Sequence, residues 1–337
     1  MSKRVVYYSR IKALACIAVV LLHTFYAAAA FAKTPEQLNS MLAVRNAMSW
    51  AVPCFVMVTG ALLLDNAREL TYKKLFSRHI AKMVLALVIF TLLFTCFDAV
   101  FVTKNFSFST ITKSFEIMVY GGGWKHVWYL YLMIALYLLM PAYRLVTKSA
   151  KQKDIIYLVT LYTVFLCVLS NVDIIRQRSV AFYICTASVY PLYLFIGYAL
   201  SKKMLAFNSI AAAVMLVLGA ALTIYMTLMD TKYPQLLENY SFLAYASMAA
   251  GVFTLMQRFE DKKLGIIDKI AAELEKCSFG IYLIHMIFLK VIFVVLKFNP
   301  LTNGGAVTVL GISIAALVCS YIITRLLKLL PFADRVL

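Results

Sequence analysis

Two residues near the start of the chain set a cation and a titratable group at a helical interval. Lys12 and His23 lie eleven positions apart in RIKALACIAVVLLHTFYAAAAF, the stretch from Arg10 to Phe31. On an α-helix that interval is about three turns and roughly 16 Å of rise, so the two side chains share one stripe. An ionisable side chain within a bilayer is costly and tends to mark a site or a pathway. Imidazole lessens that cost by staying neutral, and its ordinary pKa of about 6.5 suits it to proton transfer. The pattern therefore reads as a surface cation in line with a buried base. A histidine bonded between packed helices would fit this one segment equally well.

Few other polar residues fall inside apolar stretches. They include Asp98, His126, and the pair Tyr282 and His285, with Lys82 and Lys290 also inside spans and Arg78 and His79 at the start of another apolar run. Tyr282 and His285 are three apart and share a helical face. Taken singly, each of these also fits an interfacial or inter-helix hydrogen bond.

The elements that must position these residues are membrane helices. Hydrophobic residues make up 63% of the 337-residue chain and charged ones only 14%, with a mean hydropathy of +0.85, far from a soluble globular composition. A net charge of +18 would suggest nucleic acid in a soluble protein, but the cations here cluster between apolar runs and form no basic tract, so no nucleic-acid partner is expected. The seven cysteines form no CxxC and lie mostly inside apolar runs. That argues against a disulfide framework and against a metal site, and for small packing residues.

Apolar stretches of about 17 to 25 residues fall near 11–31, 43–64, 79–101, 126–146, 154–170, 180–200, 207–229, 239–257, 278–297 and 305–330. The expected fold is all-α and polytopic, with about ten transmembrane helices in a single domain spanning 1–337. The first run is too long for the core of a cleaved leader and reads as a spanning helix. Basic residues concentrate in alternate loops, such as Lys73, Lys74, Lys151, Lys202 and Lys263, which by the positive-inside rule places both termini in the cytoplasm. Ile267, Ile270, Ala271 and Leu274 recur with helical period, predicting an amphipathic helix at the inner surface. The aromatic segment from Phe106 to Trp124 is expected to dip into the opposite interface.

Five blocks of this sequence resemble membrane acyltransferase family 3, which includes bacterial O-acetyltransferases acting on surface polysaccharides. They are KALACIAVVLLH (12–23), VPCFVMVTGALLL (52–64), HVWYLYLMIALYLLMP (126–141), YPLYLFIGYAL (190–200) and SFGIYLIHMIF (278–288). The family's hallmark is a basic residue eleven positions before a first-span histidine, and Lys12 with His23 fits it. At the start of the third span relatives often carry two arginines one residue apart, and here only Arg78 is a plausible counterpart. Thr59 stands where relatives usually have serine, which keeps a hydroxyl.

The resemblance implies an O-acetyltransferase-like enzyme of a bacterial cell membrane, with acyl-CoA, commonly acetyl-CoA, as donor and a cell-envelope glycan or lipid-linked saccharide as acceptor. Lys12, Arg10 and Arg78 would then bind the phosphates of CoA, with guanidinium giving bidentate contacts. His23 would act as general base on the acceptor hydroxyl, or as a covalent acyl carrier. Thr59, Tyr282 and His285 are candidate oxyanion donors by type. His126, Trp128 and the loop with Asp173, Arg176 and Arg178 would face the acceptor. The rival reading is a transporter using His23, Asp98 and His285 as a proton or substrate path, although the internal repeats and broken helices of transporters are not evident in the sequence.

Overall fold

The computed structural model describes residues 5–177, 188–229, 234–302, 304–333 and 336–337. Among these residues the protein is helical throughout, without a strand. A bilayer offers no water to backbone amides and carbonyls, so each spanning segment bonds them within its own helix. Eight helices are long and apolar enough to cross a membrane.

Helix α1 covers Val6–Ala29. Helices α2 (Pro35–Ala47) and α3 (Ala51–Leu63) follow as one interrupted span. Thr34 starts α2 by accepting the Gln37 amide at 3.3 Å, with Pro35 in the first turn where its missing N–H costs nothing. Thr71 caps α4 (Tyr72–Val102) in the same way at Lys74. The chain continues as α5 (Phe108–Tyr120), α6 (Lys125–Ser149), α7 (Gln152–Arg176), α8 (Tyr190–Ser201), α9 (Ser209–Leu228), α10 (Leu243–Arg258), α11 (Ile266–Val295) and α12 (Ala306–Leu327).

Two of the ten expected spans take another form. The stretch expected at 239–257 is α10, only 16 residues long. The stretch expected at 180–200 contains α8, 12 residues long, and its beginning lies outside the described residues together with Arg178 and Cys185. In α8 every residue from Pro191 to Leu200 is buried, as expected of a helix that is apolar all round. The α3–α8 contact is close enough to exclude side chains. A Cβ on Gly60 would sit 2.0 Å from the Leu194 carbonyl oxygen, and one on Gly197 would sit 2.0 Å from that of Met57. Small residues let two membrane helices touch backbone to backbone.

The segment expected as a separate surface helix is instead the opening of α11. Residues Ile266–Lys290 form one continuous α-helix, because no Pro or helix-breaking pair separates Leu274 from Ser278. Ala271 is buried, whereas Ile267 and Ile270 are more than half exposed. Helix α5 carries the aromatic face expected at an interface, with Phe108 and Tyr120 largely exposed. At the core, α1 packs lengthwise on α11, with α2, α3 and α12 also against it, and α4 is flanked by α5 and α6.

Candidate active site between the first helix and α11

Among the links between α1 and α11, two lie on the Lys12–His23 stripe, about three helical turns apart. At one end the Lys12 ammonium pairs with Glu275 at 3.2 Å, and the Ser9 hydroxyl donates to the other oxygen of the same carboxylate. At the other end His23 Nδ1 meets His285 Nε2 at 3.1 Å. Because 12 pairs with 275 and 23 with 285, the two helices run parallel, and the sequence stripe on α1 is matched by a second stripe on α11.

The proton positions along the histidine pair follow from its ends. His285 Nδ1 lies 2.9 Å from the Ile281 carbonyl oxygen, which can only accept, so that nitrogen carries hydrogen. Neutral imidazole has one N–H, hence His285 Nε2 is an acceptor and the hydrogen in the 3.1 Å contact belongs to His23 Nδ1. The remaining nitrogen of His23, Nε2, is left with its lone pair. His23 is half-buried and His285 fully buried, so the pair lies within the helix bundle with one ring open enough to meet a substrate.

A third histidine closes on the pair from α6. The His126 ring centroid is 6.3 Å from that of His23 and 6.0 Å from that of His285. The chain reaches this position through Gly121 and Gly122, at φ of +81° and +91°, a left-handed region that favours glycine. Tyr282 on α11 donates its hydroxyl to the His126 carbonyl. Beside them the Trp124 indole donates to Asp98 at 2.9 Å and stacks on Phe94 at 4.1 Å. Asp98 also pairs with Lys290 at 2.6 Å. Three of the chain's four histidines, far apart in sequence, thus share one chamber.

His23, His126, Tyr282 and His285 come together, and Lys12 stands at the far end of the same stripe. Arg10 does not face outward. It is 3% exposed, and its guanidinium is engaged by Asp268 at 2.7 Å and by the carbonyls of Phe259 and Lys262, so it clamps the α10–α11 connection. Arg78 is exposed and makes no hydrogen bond or ion pair among the described residues. The Thr59 hydroxyl bonds to the Phe55 carbonyl of its own helix at 2.9 Å, which engages the proton an oxyanion would need. Asp98, placed with the two histidines in the transport reading, is instead paired with Lys290 and Trp124.

Trp128 lies apart from the chamber, packed on Tyr190 and Tyr240 at 5.7 and 5.6 Å between centroids. Those tyrosines border a cleft of about 530 Å³ that also presents Gln235, Glu238 and Asn239. Tyr129 bridges the two regions, 5.5 Å from the Tyr282 ring. The sequence reading missed Glu275 and gave the intramembrane Lys290 no partner. Glu275 has a signal in retrospect, because it precedes His285 by ten residues as Lys12 precedes His23 by eleven. No group of three or more His, Cys, Asp or Glu able to hold a metal occurs among the described residues.

The family model Acyl_transf_3, described as an acyltransferase domain, matches residues 5–325. No curated protein and no solved structure gives a significant match to the chain.

Proposed function

The chain belongs to the acyltransferase family 3, whose domain covers nearly its whole length, and on that premise we propose that it is a membrane O-acyltransferase. It moves an acyl group, of which acetyl is the simplest case, from cytoplasmic acyl-CoA to a hydroxyl of a cell-envelope glycan or lipid-linked saccharide. The observation that carries this reading is the His23–His285 contact, which leaves His23 Nε2 as a free base in line with the basic end of α1.

On this reading both termini and the basic end of α1 face the cytoplasm, as the loop cations suggest. The phosphates of CoA dock at Lys12 and Arg78, with Lys73 and Lys74 adding to the positive field. Arg10 acts one step back, tying the α10–α11 connection to the start of the helix that carries Lys12. The pantetheine arm runs along the α1–α11 seam and brings the thioester to the histidines. The acceptor enters from the opposite end, where Trp128, Tyr190 and Tyr240 offer ring faces to a sugar and Gln235 and Asn239 offer amides.

His285 orients the imidazole of His23, and His23 Nε2 takes the proton of the acceptor hydroxyl as its oxygen attacks the thioester carbonyl carbon. The carbonyl π pair moves onto oxygen. As it returns, the carbon–sulfur bond breaks, and the CoA sulfur leaves with the proton held by His23. One ester and one free thiol replace the hydroxyl and the thioester. A general base needs only this transient proton, so a lasting acyl-histidine is not required.

The test is thiol release from acetyl-CoA, with labelled acetyl transfer to added saccharides, by the full-length protein in nanodiscs. Wild type should turn over and His23→Ala should not, at equal folding and equal CoA binding. Absence of CoA binding and turnover in wild type, over several acyl lengths and acceptors, would sink the reading.

A further inference from the structure

We propose that His126 is a further catalytic residue, donating an N–H to the thioester carbonyl oxygen as that oxygen gains negative charge. The inference rests on the acyl-transfer reading above and assigns the group that reading leaves without a residue.

His126 is 1% exposed, yet neither of its ring nitrogens has a hydrogen-bond partner among the described residues. The Leu283 backbone lies near the ring but outside hydrogen-bonding geometry. Buried polar side chains are almost always satisfied, and an exception in a native fold calls for a reason. His285, equally buried, has both nitrogens engaged. His126 is therefore the one histidine of the chamber with nothing to do in the ligand-free protein.

Its placement suits a ligand group held between rings. The His126 ring stands at 74° to His23 and 71° to His285, with centroids 6.3 and 6.0 Å away. Neither ring is hydrogen-bonded to His126, so the unpaired nitrogens of His126 border the same space as the His23 ring, where the proposal places the thioester carbonyl. The ring is held there by several contacts: Tyr282 bonds its carbonyl, and the Phe94 and Tyr282 rings pack 5.2 and 5.4 Å away. Such prior fixation lets a donor stabilise developing charge without reorganising.

Elimination among the candidate donors points the same way. The Thr59 hydroxyl is bonded to Phe55, that of Tyr282 to His126 itself, and the proton of His285 to Ile281. A neutral imidazole always carries one N–H, so His126 supplies a donor in either tautomer. It neither gains nor loses a proton in the step; only the strength of its hydrogen bond changes.

The experiment compares wild type, His23→Ala, His126→Phe and His126→Gln as full-length proteins in nanodiscs. It measures acetyl-CoA turnover, binding of a thioether analogue of acetyl-CoA, and thermal unfolding. His126→Phe should lower kcat by about 10²- to 10³-fold, the loss typical of one oxyanion donor, with KM and analogue binding within about three-fold. His126→Gln, which keeps an N–H at similar reach, should regain about ten-fold of that loss. A folded His126→Phe protein with kcat within three-fold of wild type would overturn the proposal, and so would loss of analogue binding in step with turnover. Should His126→Phe fail to fold, a His126→Gln enzyme with undiminished kcat would overturn it, and one slowed at constant KM would support it. If wild type is active and His23→Ala is dead while the His126 variants are fully active, only this inference fails. If wild type itself shows no turnover, acyl transfer and this inference fail together.

Discussion

His23 and His285 share a single hydrogen bond of 3.1 Å across 262 positions of sequence, and the Ile281 carbonyl behind His285 decides which nitrogen of His23 is left bare. A carbonyl, an imidazole and a second imidazole in series make an orienting chain in which no carboxylate takes part.

Replacing His285 should slow acyl transfer without removing the base. His285→Phe leaves His23 Nδ1 without its acceptor, so the tautomer with hydrogen on Nε2 becomes populated and the ring loses its fixed orientation. We expect kcat to fall by roughly 10²-fold, at the lower end of general-base effects. KM for acyl-CoA should hold steady, and His285→Gln, whose side-chain oxygen accepts, should recover part of the loss. Steady-state kinetics over a pH series would check this; equal kcat in His285→Phe and wild type would remove His285 from the mechanism.

Glu275 should oppose donor binding. Its carboxylate sits 3.2 Å from the Lys12 ammonium, so phosphate must compete with it. Lys12→Ala is expected to raise KM for acyl-CoA several-fold and Glu275→Gln to lower it, both effects shrinking as salt screens the charges. Isothermal titration with CoA at low and high ionic strength reads this directly.

Arg10 and Arg78 should separate by assay. The Arg10 side chain is buried against Asp268 and two carbonyls. Arg10→Ala would remove the guanidinium that ties Asp268 and those two carbonyls to α1, so the melting temperature should fall. Arg78 is exposed, so Arg78→Ala should leave the melting temperature unchanged and raise KM. Thermal unfolding and kinetics on the same preparations distinguish the two.

The Asp98–Lys290 pair should be worth less than either of its halves costs to remove. Both residues lie in spanning helices at 31% and 23% exposure, and deleting one leaves the other charged in a poorly solvated place. Asp98→Asn and Lys290→Met should each destabilise the protein, while the double variant should recover much of the loss. A double-mutant cycle by thermal unfolding checks this.

The α3–α8 crossing should reject even a methyl group. Gly197→Ala places a Cβ 2.0 Å from a backbone oxygen, which no rotamer change relieves, so the helices must separate at a cost of about 1–3 kcal/mol. A lowered melting temperature in detergent, larger than that of an Ala substitution on the lipid-facing side of α12, is the expected result.

Much of this protein is determined by local chemistry that a sequence displays. Long apolar runs must become helices in a bilayer, and a cation eleven residues before a histidine must share its face, so the helical fold and the Lys12–His23 stripe were legible residue by residue. Membership of the acyltransferase family followed from blocks that also lie along single helices. The helix count was less secure, because the burial of α8 and α10 depends on neighbours and their length falls short of a lipid-facing span. Partner choice was not legible at all. That Arg10 would be buried in a clamp, that Glu275 would face Lys12, that Lys290 would neutralise Asp98, and that His126 would join His23 and His285 all depend on contacts between helices distant in the chain. Helical periodicity says which residues share a face; only packing says what that face meets, and at this site the meeting sets the proton on His23.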